Sequence, residues 1–573
     1  MEMEKKNIAI IILAVVLGVS GVGNIILGVM YTAPAPSVKN TIIASDMYAP
    51  DNFDVHELWE SAGFQVTMQI YEPLWRYDLS NPNLPLVPQL AKKFGTWEFA
   101  SVDPINSQAS LTVPLREDVY FHDGTKFNAA AVKWNFDRLA YFMNVDGTLA
   151  ADVSTCQFDV LYKWPDGTPV INKTVVVDTY TIKFVLNKPF GPFEAIMTFN
   201  GGWMMAPDPI LKTTRIVPAQ VVAPGEDGHA IVGTGPFEFE SYTSGIETRM
   251  KRNDNYWKSP SAIEHLIISV ITDADARNNA MLAGDVDVDT SPEAPFYDEM
   301  RSSDAVNLVE IAAPASSITT YLGFNNKKIS KPWRQAISWA IDYDYMIDEL
   351  KEGEALRLES PIPMGIEYAN YESTEATLDL TKARQIMVDN GLGGNMAWSD
   401  QDWKDADLRT LTYTYNVGNK FREDFLILLQ ANLDLIGITV TDNGKEWTPY
   451  LDLVYNRTAP GYDGLDMWFL GWIPDYNDAS NYVNSLMSNV SSGNACQIND
   501  PILEPLLRAG LSETDSEKRK IIYDEMQTYL VEDLMPWAWG YSLKTKYAFA
   551  PNLRGFPTNP WGYDYYYPMY WVE

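Results

Sequence analysis

A chain of 573 residues is too long for one compact core and predicts two or three domains. A hydrophobic fraction of 46% with many Trp and Tyr marks it as globular, and a net charge of −33 excludes the basic patches that a nucleic-acid partner needs. That charge suits solubility in an exposed setting or a preference for cationic ligands.

Residues 7–38 carry no charge, and Ile8 to Met30 is almost wholly apolar. As a helix that run would be roughly 34 Å long, enough to cross a bilayer core of about 30 Å. Lys5 and Lys6 before it favour a cytoplasmic N-terminus. The expectation is residues 1–39 as a membrane anchor and spacer with an extracellular body, or a secreted body if the segment is cleaved as a signal. Only Cys156 and Cys496 exist, so there is no disulfide framework, and with four histidines no metal-site spacing. No metal or other cofactor is expected.

In chain order, Thr41–Ala44 reads as a strand and Phe64–Leu74 as a helix. Leu111 to Thr125 reads as two short strands with a tight Asp123-Gly124 turn, and His122 beside Asp123 as a turn-stabilising pair. Asn128 can cap a helix whose positions Val132, Phe136, Leu139 and Met143 share one face. Strands follow at Tyr180–Leu186, after Gly233-Thr-Gly-Pro, and at Leu266–Ile271. Asp285, Asp287 and Asp289 lack the Gly and Glu of a calcium loop and read as outward acids of a strand edge.

From Tyr321 the texture changes to longer helices. One has Pro332 near its first turn and carries Trp333, Ala336, Ile337, Ala340 and Ile341 on one face; others are capped by Thr381 and Ser516. A third buries Phe421, Phe425, Leu428, Leu429 and Leu433, between strands at Leu411–Tyr415 and Ile438–Thr441. Then comes YDGLDMWFLGWIPDYNDASNY, Tyr462 to Tyr482: a turn, an apolar strand, and a loop offering bare backbone, an aromatic face and the carboxylate of Asp475. Such a loop suits a small ligand with a polar spine and a positive end. No nucleophile–base pair or pair of glycosidase carboxylates is present, so no enzyme is expected.

Four segments together resemble the family 5 extracellular solute-binding proteins of ABC importers, the dipeptide, oligopeptide and nickel binding group. They are LREDVYFHDGTKFNAAAVKWNFDRL, GTGPFEFESY with RNDNYW, GFNNKKISKPWRQAISWAID, and GWIPDYNDASNY, in the family's order. The resemblance implies an α/β, periplasmic-binding-protein-like fold (type II, cluster C) with two lobes and an extra inserted domain. Lobe 1 would comprise residues 40–72, 196–314 and 541–573, the inserted domain 73–195, and lobe 2 residues 315–540, with a hinge near 314 and 541.

It further implies an oligopeptide ligand delivered to ABC permease transmembrane subunits. Asp475 would pair with the ligand's ammonium group, while the backbone at Gly471, Trp472 and Ile473 would pair with an extended peptide as an added strand. Trp447 would line the cleft, and Trp59, Glu60 and Ser61 would face the ligand from the first lobe. Arginines that clamp a peptide's carboxylate in some members are replaced here by Phe469 and Asn416. That departure leaves an oligosaccharide stacked on Trp472 and Trp447 as the alternative, and a nickel or other metal chelate as a third.

Overall fold

The computed structural model describes residues 39–572 apart from 59, 100–107, 150–155, 157, 165, 227, 312–315 and 457–460. Trp59 and the apolar run Ile8–Met30 therefore lie outside the described residues. Among the described residues no helix is long and apolar enough to cross a membrane.

Three sheets organise the body. A seven-stranded sheet runs in the order Phe237–Thr243, Glu247–Arg252, His265–Val270, Thr41–Asp46, Val288–Asp289, Lys546–Phe549, Asn307–Glu310. Its middle strands, Thr41–Asp46, His265–Val270 and Val288–Asp289, are parallel, so their carboxyl ends emerge on one side. A five-stranded sheet runs Ile438–Lys445, Arg409–Asn416, Met467–Trp472, Thr319–Phe324, Trp537–Trp539. A four-stranded antiparallel sheet, Thr96–Phe99, Ala109–Pro114, Thr181–Leu186, Ile171–Asp178, packs under the helix Ala129–Phe142.

Local chemistry sets these elements. Asn128 takes an extended backbone and its side chain accepts from the Ala131 amide, starting the helix, while Val132, Phe136, Leu139 and Met143 are buried as their spacing requires. The helix Lys420–Asp434 buries Phe421, Phe425, Leu429 and Leu433 against the five-stranded sheet. The glycines of Gly233-Thr-Gly-Pro serve close approach: a Cβ at Gly233 would stand 2.0 Å from the Ile70 carbonyl oxygen, and one at Gly235 2.5 Å from that of Gln69. This lets the loop lie against the end of the helix Ser61–Ile70. Cys156 and Cys496 are buried thiols that form no disulfide.

Several expectations are corrected. Asp379 and Asp515, not Thr381 and Ser516, cap their helices, because an Asp already stands where the backbone turns from extended to helical. The first helix runs Ser61–Ile70, earlier than Phe64–Leu74, and gives way to strand at Glu72–Pro73. His122 does not pair with Asp123. Its ring nitrogens meet the Gly235 carbonyl at 3.0 Å and the Gly233 amide at 3.3 Å, while Asp123 accepts from Thr125.

Of the acids at 285–289, Asp285 is exposed as expected, but Asp287 and Asp289 do not face outward. Val288–Asp289 is flanked by Thr41–Asp46 and Lys546–Phe549, so Asp287 and Asp289 are each only 2% exposed. Asp287 accepts from the Ile43 amide at 2.9 Å. The strand that encloses them lies some 260 residues further along, beyond the reach of local pattern.

Candidate functional site

Where the carboxyl ends of the parallel strands meet the loop after Met467–Trp472, a cavity of about 440 Å³ opens. One wall holds Asp46 and Asp289 at their strand ends, with Glu60 and Ser61 at the start of the first helix; the opposite wall is Ile473-Pro474-Asp475. The C-terminal segment Trp561–Asp564 closes the remaining side. Ligand sites commonly lie outside the carboxyl ends of strands in such sheets, and this volume suits a small molecule or short peptide.

Asp475 is 5% exposed. Its carboxylate accepts one hydrogen bond from the Asn481 side chain, at 2.9 Å. Burial outweighs that bond and pushes the carboxyl up to about 7. Asn481 carries more than Asp475: its Oδ1 accepts from the Trp472 indole at 2.8 Å and from the Asp475 amide at 3.2 Å. One fully buried amide therefore orients both the aromatic and the acid, and local sequence reading missed it.

The loop is fixed at its far end by Asp478, whose two oxygens accept from Arg519 at 2.7 and 2.9 Å. The Tyr77 hydroxyl also accepts from the Asn477 amide, at 2.8 Å. Asp475 and Trp472 also line a second cavity of about 590 Å³, with Trp164, Phe190 and Tyr455 around it.

The strand Met467–Trp472 pairs with Thr319–Phe324 along its whole length, Gly471 opposite Thr320. On its other side Arg409–Asn416 pairs only at Met467 and Trp468. Beyond Trp468 that edge has no strand partner among the described residues, although the Phe469 carbonyl accepts from the Tyr450 hydroxyl at 2.6 Å. Ile473 is exposed and Trp472 partly so.

Glu60 and Ser61 reach the cavity, and Glu60 Oε1 accepts from the Gly63 and Asp51 amides at 2.8 and 3.1 Å. Trp447 stands apart, 49% exposed, on the first turn of the helix Trp447–Tyr455, with its ring near Tyr450 and Arg422. It lines neither cavity.

The Phe53-Asp-Val-His stretch turns inward. Arg138 donates to both Asp54 oxygens at 2.7 and 2.5 Å, and its Nη1 lies 2.8 Å from His56 Nδ1; all three side chains are inaccessible. Burial opposes the Asp54 charge, but Arg138 outweighs it and holds the carboxyl below its ordinary range. Burial, reinforced by Arg138, pushes His56 down to about 3, so its ring is neutral. This cluster ties the helix Ala129–Phe142 to the loop after the first strand. It is structural.

Among the described residues no group of His, Cys, Asp and Glu is arranged to hold a metal ion. The model of the bacterial extracellular solute-binding proteins, family 5, matches residues 85–494. The chain belongs to that family.

Among its relatives, heme-binding protein A of Haemophilus influenzae is 24% identical over 558 residues, spanning 94% of this chain and 93% of its own length. The probable D,D-dipeptide-binding periplasmic protein of Escherichia coli is 24% identical over 541 residues, spanning 92% and 93%. Among solved structures, the ABC transporter-associated periplasmic binding protein DppA of Helicobacter pylori, in complex with the peptide STSA, superposes with a TM-score of 0.70. It is 20% identical and covers 94% of this chain and 99% of its own. The fold is thus the two-lobed α/β fold of periplasmic binding proteins with an added domain, and the 440 Å³ cavity lies where elements of both principal sheets converge.

Proposed function

We propose that this family 5 member is the substrate-binding component of an ABC importer and captures peptides that carry a free amino terminus. The observation that supports this most directly is Asp475, a carboxylate buried at the cavity wall whose side-chain partner among the described residues is an amide and not a cation. A buried ammonium needs such a partner, and a buried carboxylate needs such a ligand. The backbone of Gly471–Ile473, free of a strand partner on one side, then receives the peptide main chain. Trp472 contributes an aromatic wall, and Glu60 and Ser61 face the ligand from the first lobe. In this reading Trp447 acts only on a ligand long enough to leave the cavity.

The reading assigns lobe 1 to residues 40–72, 196–314 and 541–573, the added domain to 73–195 and lobe 2 to 315–540. The two chain crossings lie side by side, the Ser316 amide donating to the Leu543 carbonyl at 2.9 Å, as a hinge requires. The apolar N-terminal run serves as the anchor that keeps the body outside the membrane, beside its permease. The protein has no catalytic role.

The test is calorimetric titration of the full chain with matched peptides, amino-terminally free or acetylated. The free peptides should bind at least about thirty-fold tighter, since acetylation leaves Asp475 without its cation. Equal affinity for the two forms, or binding of oligosaccharides with both peptide forms inert, would overturn the reading.

A further inference from the structure

Asp475 is one of several acids around the same cavity. Asp46 and Asp289 end neighbouring parallel strands, and Asp564 arrives from the C-terminal segment. Each of the strand-end acids spends one oxygen on its own turn, Asp46 on the Tyr48 amide at 2.9 Å and Asp289 on the Ser291 amide at 3.0 Å. The basic residue lining this cavity is Arg277, which is 3% exposed. Its Nη atoms are committed, to Glu293 at 2.9 Å and to the carbonyls of Ile271 and Thr272 at 3.0 and 3.2 Å, while its Nε is buried with no acceptor among the described residues. It shields Asp46 and Asp289. Among the described residues that line the cavity, this one positive charge stands against five carboxyl groups, those of Asp46, Glu60, Asp289, Asp475 and Asp564.

A second observation points the same way. Gln65 lines the cavity and is 5% exposed. Its amide nitrogen donates to Asp564 at 2.8 Å and to the Tyr566 hydroxyl at 3.1 Å, which fixes the amide's orientation. The Gln65 side-chain carbonyl oxygen is buried and has no donor among the described residues. A buried acceptor without a donor is uncommon. Beside a group of carboxyl groups, the missing donor is one that brings several N–H bonds and a positive charge.

We propose that Asp46, Asp289 and Asp564, with the Gln65 carbonyl, form a second cation subsite, so that the captured peptide carries a lysine- or arginine-type side chain besides its terminal ammonium. The inference rests on the peptide reading of the cavity. Asp475 holds one end of the ligand, and the acids at the strand ends select the side chain. The three carboxyl groups are mutually repelling and largely withdrawn from water, a cost that a bound cation removes. Burial, followed by the Asp46 and Asp289 charges, pushes Asp564 up to about 7 against the bonds from Gln65 and Thr290.

The experiment titrates the full chain with Ala-Lys-Ala and Ala-norleucine-Ala, both with free amino termini. The lysine peptide should bind about tenfold tighter or more, as expected for a desolvated charge pair. Raising the salt concentration should erode that ratio only partly, because the pair is enclosed. Asp46→Asn and Asp564→Asn should each bring the ratio toward one. Equal affinities in the wild type, or a ratio that both substitutions leave intact, would overturn the inference. The wild-type comparison decides without any variant having to fold. If neither peptide binds, the peptide reading fails and takes this inference with it; if the two bind equally, only this inference fails.

Discussion

Asp475 and Asp478 stand three residues apart on one loop, both nearly removed from solvent, and they differ in one respect. Asp478 faces Arg519, which donates to both its oxygens and, through Nε, to the Gly510 carbonyl at 3.0 Å. Asp475 faces an amide. The first acid completes its pair inside the protein; the second keeps its charge in want of a partner, and burial pushes it up to about 7. Burial of a carboxylate therefore does not mark a ligand site. Burial without a built-in cation makes it a candidate for one.

The largest effect should come from breaking the internal pair. Arg519→Met leaves Asp478 buried and uncompensated, which typically costs about 3–5 kcal/mol of stability. Urea denaturation of the variant beside the wild type measures it. The comparison collapses if Arg519→Met costs no more stability than Asp475→Asn, for the two acids would then be in equivalent positions.

Asp475→Asn should do the reverse. The amide oxygen can still accept from Asn481, so stability holds, while affinity for a free-amine peptide falls by about 2–5 kcal/mol. Titration with one tight-binding peptide reads the loss, and an unchanged affinity sinks the role of Asp475.

The pH dependence sharpens the same contrast. Asp475 titrates near 3.8 when unfolded and near 7 when folded, so the folded state binds the proton more tightly. Its contribution is fully present below about pH 4 and is lost as pH rises through 7. Asp564 behaves alike, so the difference between wild type and Asp475→Asn isolates Asp475. Binding runs the other way. An ammonium ligand needs the ionised acid, so affinity should rise with pH toward 7 and then decline as the peptide's own amine loses its proton near 8. A flat profile between pH 5 and 7 would show that the acid is already ionised in the free protein.

How much of this the sequence shows depends on how far apart the partners lie along the chain. The face of Val132, Phe136, Leu139 and Met143 is legible because helical period alone places it, as is the cap at Asn128. The loop Gly471–Asp475 is legible as backbone, aromatic and acid at adjacent positions. Its orienting amide, Asn481, lies six residues on, across a turn that no periodicity predicts. The burial of Asp287 and Asp289 is not legible locally, because the enclosing strand lies near residue 547. Asp564 enters the cavity from the far end of the chain, held by Gln65 across 499 residues. The two-lobe plan follows the family resemblance, whereas Trp447 shows how a matching motif need not line the cavity.

The smallest effect tests whether the aromatic and the acid are linked. The Trp472 indole N–H and the Asp475 amide share the Asn481 oxygen, and that amide's other end holds the Asp475 carboxylate. Trp472→Phe keeps an aromatic wall and removes one donor, a net loss of about 0.5–1.5 kcal/mol. Asn481 should then hold the carboxylate less firmly. Because the Asn481 bond is what lowers the Asp475 titration point against burial, that point should move up. Peptide affinity at pH 7 should fall by a few-fold, with the pH profile displaced to higher pH. Trp472→Ala adds the loss of aromatic surface and should cost more, without moving the profile further. A Trp472→Phe variant with an unmoved profile would show that the indole acts on the ligand alone and that Asn481 needs no help from it to hold Asp475.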